Sequence, residues 1–452
     1  MDKRIYGREL RFNELPKRLQ DLVKRGELNL ESSGSYITKS GKKLCKRCHH
    51  EFILVRKGEC VCGESCGYCR NCLKMGKVRM CSKFYFYKEQ NKFQIIEGKK
   101  LLAWGGDLSK QQKEASDKII QSIQENETRL LWAVTGAGKT EMLFEGIEYA
   151  LARKKRICLA SPRVDVCLEL APRIQAAFPT TKIALLYGGM EEKYAYTQLV
   201  IATTHQLYRF KEAFDVLIID EIDAFPFHSD ASLQFAANKA KKEESAVIYL
   251  SATPSHSMQK RVKNKKIKAT ILPARYHGHS LPEPHLKWCS NWKVNTLKKL
   301  LKTSFGKKVN EYIKNGQNFL IFVPNIEWML ELEKVLRKEF PKVSFEAVSA
   351  EDPKRKEKVL LMRENKVQFL ISSTILERGV TFQNINVLVI GSEDRIFTEA
   401  ALVQIAGRCG RSFEYPTGEV IFYHDGKSLA MKKAVKQIKH MNRLAKKRGL
   451  VQ

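Results

Sequence analysis

The sequence predicts an α/β chain: two tandem lobes with parallel sheets, preceded by a small N-terminal four-cysteine zinc module. Three observations predict it. Apolar strand-length runs alternate with helix-patterned stretches from about residue 105 to about 280, and the alternation resumes after a Pro-rich segment. A glycine-rich turn, "WAVTGAGKTEM" (132–142), sits between a strand and a helix of the first alternation. Eight of the twelve cysteines crowd between Cys45 and Cys81.

Composition narrows the classes. The chain has 452 residues, enough for two or three domains with real cores. A hydrophobic content of 43% argues against disorder, and no apolar run approaches the roughly 18 residues of a membrane span. The start "MDKRIYGREL" has no apolar signal core, which predicts a cytoplasmic location. The net charge of +31 calls for an acidic partner, nucleic acid first and an anionic membrane surface second. Cysteines in such a compartment point away from disulfides. Cys158, Cys167, Cys289 and Cys409 lie apart from the cluster and read as buried thiols.

Residues 1–40 read as a short lead-in, a helix "LPKRLQDLVKRG" followed by a Ser/Gly loop. Residues 41–100 hold the cysteine module. Its spacing is C45-x2-C48-x11-C60-x-C62-x3-C66-x2-C69-x2-C72-x8-C81. Two CxxC knuckles across a loop make a tetrahedral thiolate site for Zn²⁺. Cys45 and Cys48 complete that pattern with Cys66 and Cys69 or with Cys69 and Cys72, and spacing does not choose. One zinc leads, two zincs come next and an iron–sulfur cluster last. In "FYFYKEQNKF" (84–93) alternating aromatics describe a β-hairpin core before they describe a base-stacking surface.

Residues 101–280 form the first lobe, with strands "RLLWAV", "RICLAS", "IALLYG", "LVIATT", "VLIIDE" and "AVIYLSAT". After the first of these, Thr135, Gly136, Ala137 and Gly138 turn backbone N–H groups and a helix N-terminus toward one spot, which suits phosphate. Lys139 adds a point charge there, the Thr140 hydroxyl suits Mg²⁺, and Glu141 opens the helix. Ala133 stands where the strict phosphate-loop pattern has glycine. "VLIID" ends in Asp220, which at the C-terminal end of a strand suits Mg²⁺, and Glu221 suits polarising a water. The hydroxyls of "LSATPS" are expected to bond toward the Asp220 region or the other lobe. "RVKNKKIK" (261–268) reads equally as a phosphate-contacting stretch or a solvated loop.

Residues 272–285 read as a linker or crossing strand, and 281–452 as the second lobe. Its strands are "NFLIFVP", "VSFEAVSA", "VQFLISST", "VLVIGS" and "EVIFYH". In "QIAGRCGRS", Gln404, Arg408 and Arg411 read as the start of a helix, with the arginines placed as fingers for a nucleotide. The tail is a helix with Met431, Ala434, Val435, Ile438, Met441 and Ala445 on one face and lysines on the other.

This ordered set resembles the superfamily 2 helicases over roughly 105–415. "AVTGAGKTE", "SPRVDVCLEL", "ATTHQL", "DEID", "SAT", "SSTILERGVTF" and "QIAGRCGR" look like motifs I, Ia, Ib, II, III, V and VI, and "LSKQQ" like the upstream glutamine element. The resemblance implies two RecA-like lobes, ATP and Mg²⁺ as cofactors, Gln112 as adenine reader and Gly379 near the nucleotide. It also implies nucleic-acid backbone contacts at Arg163, Thr203, Thr204, His205 and Thr374. A narrower likeness runs nearly end to end, through "CKRC", "YCRNCLKMGKVR", "IATTHQLYRF", "DEIDAFP" and "STILERGVTFQNINV". There the chain is similar to the ComFA family, late-competence ATPases of Gram-positive bacteria. That likeness implies Zn²⁺ on Cys45, Cys48, Cys69 and Cys72, and leaves Cys60, Cys62, Cys66 and Cys81 for a second ion. It implies a nucleic-acid-stimulated ATPase that draws single-stranded DNA into the cytosol during natural transformation, with a station at the inner face of the membrane left open. The partners it implies are ComFC, a membrane DNA channel and a recombination mediator. The alternatives are a PriA-like replication-restart helicase, an RNA helicase and a zinc-dependent adaptor at a membrane DNA-uptake complex.

Overall fold

The computed structural model describes residues 2–28, 30–54, 60–94, 101–190, 194–290, 292, 297–349, 351–373 and 382–451. By compactness the chain divides into two units, Met1–Leu131 with Thr140–Thr270, and Trp132–Lys139 with Ile271–Gln452.

The N-terminal segment adds strands around the expected helix, and one of them takes the place of the expected Ser/Gly loop. β1 (Arg8–Arg11) and β2 (Glu31–Gly34) flank β8 (Lys83–Tyr87) in an antiparallel three-stranded sheet. The aromatics of 84–87 are therefore core, though not in a hairpin, because both partners of β8 come from far upstream. Phe84 and Phe86 are buried, and Tyr85 and Tyr87 pack on the cluster of Ile5, Tyr6, Leu10, Leu15, Leu19 and Leu30. Phe93 stacks on Tyr196 at 4.9 Å, so it too is spent on packing. The helix expected near the start is present at Lys17–Lys24. Between β2 and β8 lie the hairpin β3 (Tyr36–Lys39) and β4 (Lys42–Cys45), then the small sheet β5 (Ile53–Leu54), β6 (Gly67–Cys69) and β7 (Val78–Arg79).

The first large sheet contains β9 (Thr128–Ala133), β10 (Ile157–Ser161), β11 (Ile183–Leu186), β12 (Leu199–Thr203), β13 (Phe214–Ile219), β14 (Lys241–Ser251) and β15 (Lys268–Leu272). Their order is β11-β12-β10-β13-β14-β9-β15, and β10 to β14 pair in parallel. Strands buried on both faces read as unbroken apolar runs, as "ICLAS" and "LVIAT" do. β15 lies partly in the stretch read as a basic loop. Residues 261–268 are the end of a helix (His256–Lys263), a turn and the first residue of β15. Lys268 there is paired with Glu127 at 2.6 Å and Glu125 at 3.2 Å.

The second large sheet contains β16 (His285–Trp288), β17 (Asn318–Phe322), β18 (Phe345–Val348), β19 (Phe369–Ser372), β20 (Ile385–Ile390) and β21 (Val420–His424). Their order is β16-β21-β20-β17-β19-β18, parallel throughout. The C-terminal helix Leu429–Lys447 buries Met431, Ala434, Ile438, Met441 and Ala445 as its spacing predicts. Val435 is only half-buried, and the polar Asn442 joins the buried face. Its amide accepts from Leu281 N–H and donates to Leu281 O, both at 2.9 Å. A buried amide so paired ties the Pro-rich segment to the helix.

Candidate functional site

β9 ends at Ala133, and the chain turns at once. Gly136 (φ +79°) and Gly138 (φ +71°) take left-handed conformations open mainly to glycine, which lets the loop fold tightly. Val134 N–H donates to Leu272 O, and Tyr276 N–H donates to Gly136 O, both at 3.1 Å. Ala137 is buried, and Lys139 is half-buried. The helix expected from Glu141 opens with a tighter turn, Glu141–Leu143, and becomes α-helical at Phe144–Ala152. Glu141 is held by Arg173 at 2.5 Å.

β13 ends at Ile219, and Asp220 follows, 9% exposed. Its Oδ1 accepts from Glu221 N–H at 2.8 Å. Glu221 has φ +53°, a left-handed backbone that a β-carbon disfavours and that clusters at functional sites. The hydroxyls of "SAT" reach the next acid along. Ser251 Oγ donates to Asp223 Oδ1 and Thr253 Oγ1 to Asp223 Oδ2, each at 2.6 Å. Asp223, given no role by sequence, thus latches the turn carrying Asp220 and Glu221 to the end of β14. Only its position in "DEID" could have signalled it.

Gln112 closes a capping box, its Oε1 accepting from Ser109 N–H at 2.9 Å at the start of Lys110–Gln124. Arg163 is the half-buried N-cap of Val164–Ala177. Thr203 and Thr204 are buried at the end of β12, and His205 is half-buried, edge-on to Tyr208. Thr374 and Gly379 lie outside the described residues.

The arginines of "QIAGRCGRS" are not at a helix start. Gln404 is buried in the last turn of Glu399–Ala406, and Arg408 and Arg411 follow that helix. Gly407 ends it, and Arg411 Nε donates back to Gly407 O at 2.8 Å. A β-carbon on Gly407 would lie 1.9 Å from Thr135 Oγ1, so only glycine allows this approach to the phosphate loop. Sequence reading missed Arg275, hidden in the Pro-rich segment. Its guanidinium donates to Gly410 O and, at 3.4 Å, to Gly407 O, and its stem lies beside Gly136. Among the described residues no carboxylate pairs with it. Burial, and then Arg411 nearby, lower its pKa to about 9. A buried cation against a phosphate loop favours a polyanion there.

The cysteines resolve into two groups. In each, all four sulfurs lie within 4.8 Å of one another: Cys45, Cys48, Cys69 and Cys72, all buried, and Cys60, Cys62, Cys66 and Cys81, with Cys62 and Cys81 exposed. In the first group Sγ–Sγ distances are 3.3 Å (Cys48–Cys69), 3.5 Å (Cys48–Cys72) and 3.9 Å (Cys45–Cys72). Tetrahedral zinc with Zn–S near 2.3 Å sets sulfurs about 3.8 Å apart, so the donor set fits that ion. The second knuckle is therefore Cys69/Cys72, not Cys66/Cys69. The group is braced by residues further along the same unit: Asn71 donates to Ser232 Oγ at 3.0 Å, and His49 stacks on Phe235 at 4.7 Å. Buried Arg47 pairs with Glu14. Burial pushes the Glu14 carboxyl up, but Arg47 and Arg11 outweigh it and hold it at about 2.

Residues 1–86 match the competence protein ComFA N-terminal domain, 106–256 the Type III restriction enzyme res subunit, and 292–413 the helicase conserved C-terminal domain. The chain is 45% identical to the competence protein ComFA of Bacillus subtilis, over 85% of this chain and 82% of that protein. It is 38% identical to the ComFA of Streptococcus pneumoniae, over 90% of this chain and 91% of that protein. The replication restart protein PriA of Bacillus subtilis is 23% identical over 48% of this chain and 29% of its own. Among solved structures, the DEAD-box helicase Mss116 bound to ssRNA superposes with a TM-score of 0.56 at 20% identity, covering 70% of this chain and 69% of that one. Mycobacterium smegmatis helicase Lhr bound to ssDNA gives 0.54 at 14%, covering 75% and 50%. These neighbours establish the fold, two helicase-type α/β lobes, and the full-length relatives establish the kinship: the chain belongs to the ComFA family of competence proteins, with helicase-like ATPase domains.

Proposed function

We propose that this protein is a single-stranded-DNA-stimulated ATPase that works as a motor in the uptake of transforming DNA. The observation that carries the ATPase reading is the loop after β9, left-handed at Gly136 and Gly138 and running straight into a helix. In this reading residues 135–141 cradle the ATP phosphates, Lys139 neutralises the outer ones, and Thr140 and Asp220 hold Mg²⁺, which spreads charge over the reacting phosphoryl group. Glu221 orients the attacking water, Arg408 and Arg411 meet the charge that develops, and Gln112, Gln404 and Gly379 frame the nucleotide. Arg275 joins the set on the strength of its place beside Gly136. Zinc on Cys45, Cys48, Cys69 and Cys72 makes the N-terminal module one rigid piece. The working divisions are 1–40, 41–100, 101–280 and 281–452.

The single-strand reading rests on the relatives' role in competence, the net charge and two basic grooves. One, of 580 Å³, is lined by Arg11, Lys77, Arg79 and Lys83 with Phe12 and Tyr85. The other, of 360 Å³, is lined by Lys427, Lys432, Lys436, Lys439 and Arg443. Rows of cations along a groove suit the phosphates of a flexible strand. Arg163 and His205 contribute on the lobes. ComFC, a membrane channel and a recombination mediator are the partners this reading expects. No helix among the described residues is long and apolar enough to cross a membrane.

The test is ATP hydrolysis by the purified chain, titrated with single-stranded DNA, duplex DNA and single-stranded RNA at two salt concentrations, with Lys139→Ala as control. Stimulation by single-stranded DNA that salt weakens and the control lacks supports the motor. Stimulation by RNA alone, or by no nucleic acid, overturns it.

A further inference from the structure

The second cysteine group is more than a remainder of the first. Cys60, Cys62 and Cys66 sit in the loop between the two knuckles of the first group, and Cys81 comes after both knuckles, in the turn between β7 and β8. Folding nonetheless brings all four sulfurs within 4.8 Å of one another, with Cys60 and Cys81 at 3.7 Å. That distance matches the spacing of about 3.8 Å around tetrahedral zinc.

A turn one residue shorter than the knuckle of the first group carries Cys60 and Cys62. Behind Cys48, His49 adopts φ +63° and its N–H donates to Cys45 O at 2.7 Å. Behind Cys62, Gly63 adopts φ +72° and its N–H donates to Cys60 O at 2.9 Å. Each turn thus ends on a left-handed residue just after its second cysteine. Here the position is glycine, which takes that φ without strain. The fourth donor is fixed independently: Ser82 N–H donates to Arg79 O and Arg79 N–H to Ser82 Oγ, both at 3.0 Å, and Ser35 Oγ holds Met80 O at 3.0 Å. Four thiolates around one divalent ion leave two negative charges. Arg11, Lys77, Arg79 and Lys83 line the groove that Cys81 borders, and they offset that charge.

We infer that Cys60, Cys62, Cys66 and Cys81 bind a second Zn²⁺, separate from the ion proposed for Cys45, Cys48, Cys69 and Cys72. Four sulfurs this close enclose one ion and leave no room for the bridging sulfides of an iron–sulfur cluster. All-thiolate donors select a soft or borderline ion, and closed tetrahedral sites of this kind are structural. Binding takes the proton from each thiol, so occupancy falls on acidification. The ion joins the 60–66 loop to the start of β8, the central strand of the N-terminal sheet. With Cys62 and Cys81 at the surface, it is the more accessible of the two ions to chelators.

The inference extends the zinc reading of the first group, and one experiment separates them. Metal content of the full chain is measured for the unaltered protein, Cys62→Ser, Cys81→Ser and Cys48→Ser. Two zinc ions per unaltered chain, falling to one in Cys62→Ser and in Cys81→Ser, are the expected result. Loss in Cys48→Ser reports on the first group alone. Should a variant fail to fold, the unaltered protein still decides through alkylation followed by mass spectrometry. Cys60, Cys62, Cys66 and Cys81 should resist the reagent until a chelator removes the first zinc equivalent, while Cys45, Cys48, Cys69 and Cys72 stay protected. One zinc per chain with the second group alkylated at the outset, or iron in place of zinc, overturns the inference.

Discussion

The two large sheets trace one path and end in different chemistry. Read from one edge, the first runs β11-β12-β10-β13-β14-β9, and the second, read likewise, runs β18-β19-β17-β20-β21-β16. Each strand of one has its counterpart in chain order in the other, and β15 alone is added beyond β9. By this match β16 stands where β9 does, and Gly391, after β20, where Asp220 follows β13. Yet β9 is interior to its sheet and mostly buried, while β16 is an exposed edge strand of four residues. The place of the acid is taken by a glycine with φ +66°, and Trp292 fills the space beside it, its indole N–H donating to Glu393 at 2.6 Å. Topology supplies the crevice at the strand ends, but residue types there decide whether it holds phosphates or an indole.

The largest expected effect breaks the comparison at the phosphate loop. Lys139→Ala should lower kcat for ATP on the order of 10³-fold, since in the proposed function the lysine acts on charge that develops during transfer. The melting temperature should stay within a degree or two, and a large fall would show that the loop is structural, as Trp292 is in the second sheet.

Next comes the N-terminal edge of the first sheet, where Arg156 precedes β10. Its guanidinium pairs with Glu89 at 2.5 Å, both side chains fully buried, and donates to Tyr6 O at 3.1 Å and Tyr194 Oη at 2.5 Å. Glu89→Gln keeps the shape and strands the cation, which should cost about 3 kcal/mol. Denaturant unfolding measures it, and a loss below about 1 kcal/mol would mean the tyrosines carry the charge without the carboxylate.

Two glycines then sharpen the contrast. A β-carbon on Gly391 would lie 2.2 Å from the Trp292 ring, so Gly391→Ala should cost about 2 kcal/mol of stability with little change in ATP hydrolysis per folded molecule. At Gly136 the nearest atom to such a β-carbon is Arg275 Cγ at 3.5 Å, so space is adequate and only the φ of +79° is strained. Gly136→Ala should instead raise KM for ATP about tenfold with a small stability change. Thermal melts beside ATPase kinetics separate the two, and equal effects on both readouts would erase the distinction.

The smallest effect is one of pH and concerns the segment after β15, which has no counterpart in the second sheet. Burial, and then the Arg275 charge, lower the pKa of His277 to about 4 from an ordinary 6.5, while its Nε2 faces Gly410 O at 3.2 Å. Below pH 6.5 the unfolded chain gains a proton that the folded chain refuses until about pH 4. Stability from this group is thus complete above 6.5 and lost as pH falls through that window. Melting curves from about pH 7 to about pH 5 should show a drop that His277→Gln reduces, and an unchanged slope would assign the drop elsewhere.

The sequence by itself determined what depends on local pattern. Buried strands announce themselves as apolar runs, so all eleven strands expected in the two lobes are present. β15 and β16 escaped because "KATIL" follows a run of lysines and "HLKW" is a short exposed edge. The two positive-φ glycines of the phosphate loop, the acid after β13 and the density of cysteines were likewise legible, since each is a local demand on residue type. Only the tertiary structure decided how residues far apart meet. It divided eight cysteines into two groups, a choice among pairings that spacing leaves open. It placed Arg408 and Arg411 after a helix rather than at its start, because Gly407 ends that helix against Thr135. It found Arg275 beside the phosphate loop and set Asp223 as the latch of the "SAT" hydroxyls. Such contacts are long-range. Their energy comes from burial and hydrogen bonding between segments, and no period or propensity of either segment encodes its partner.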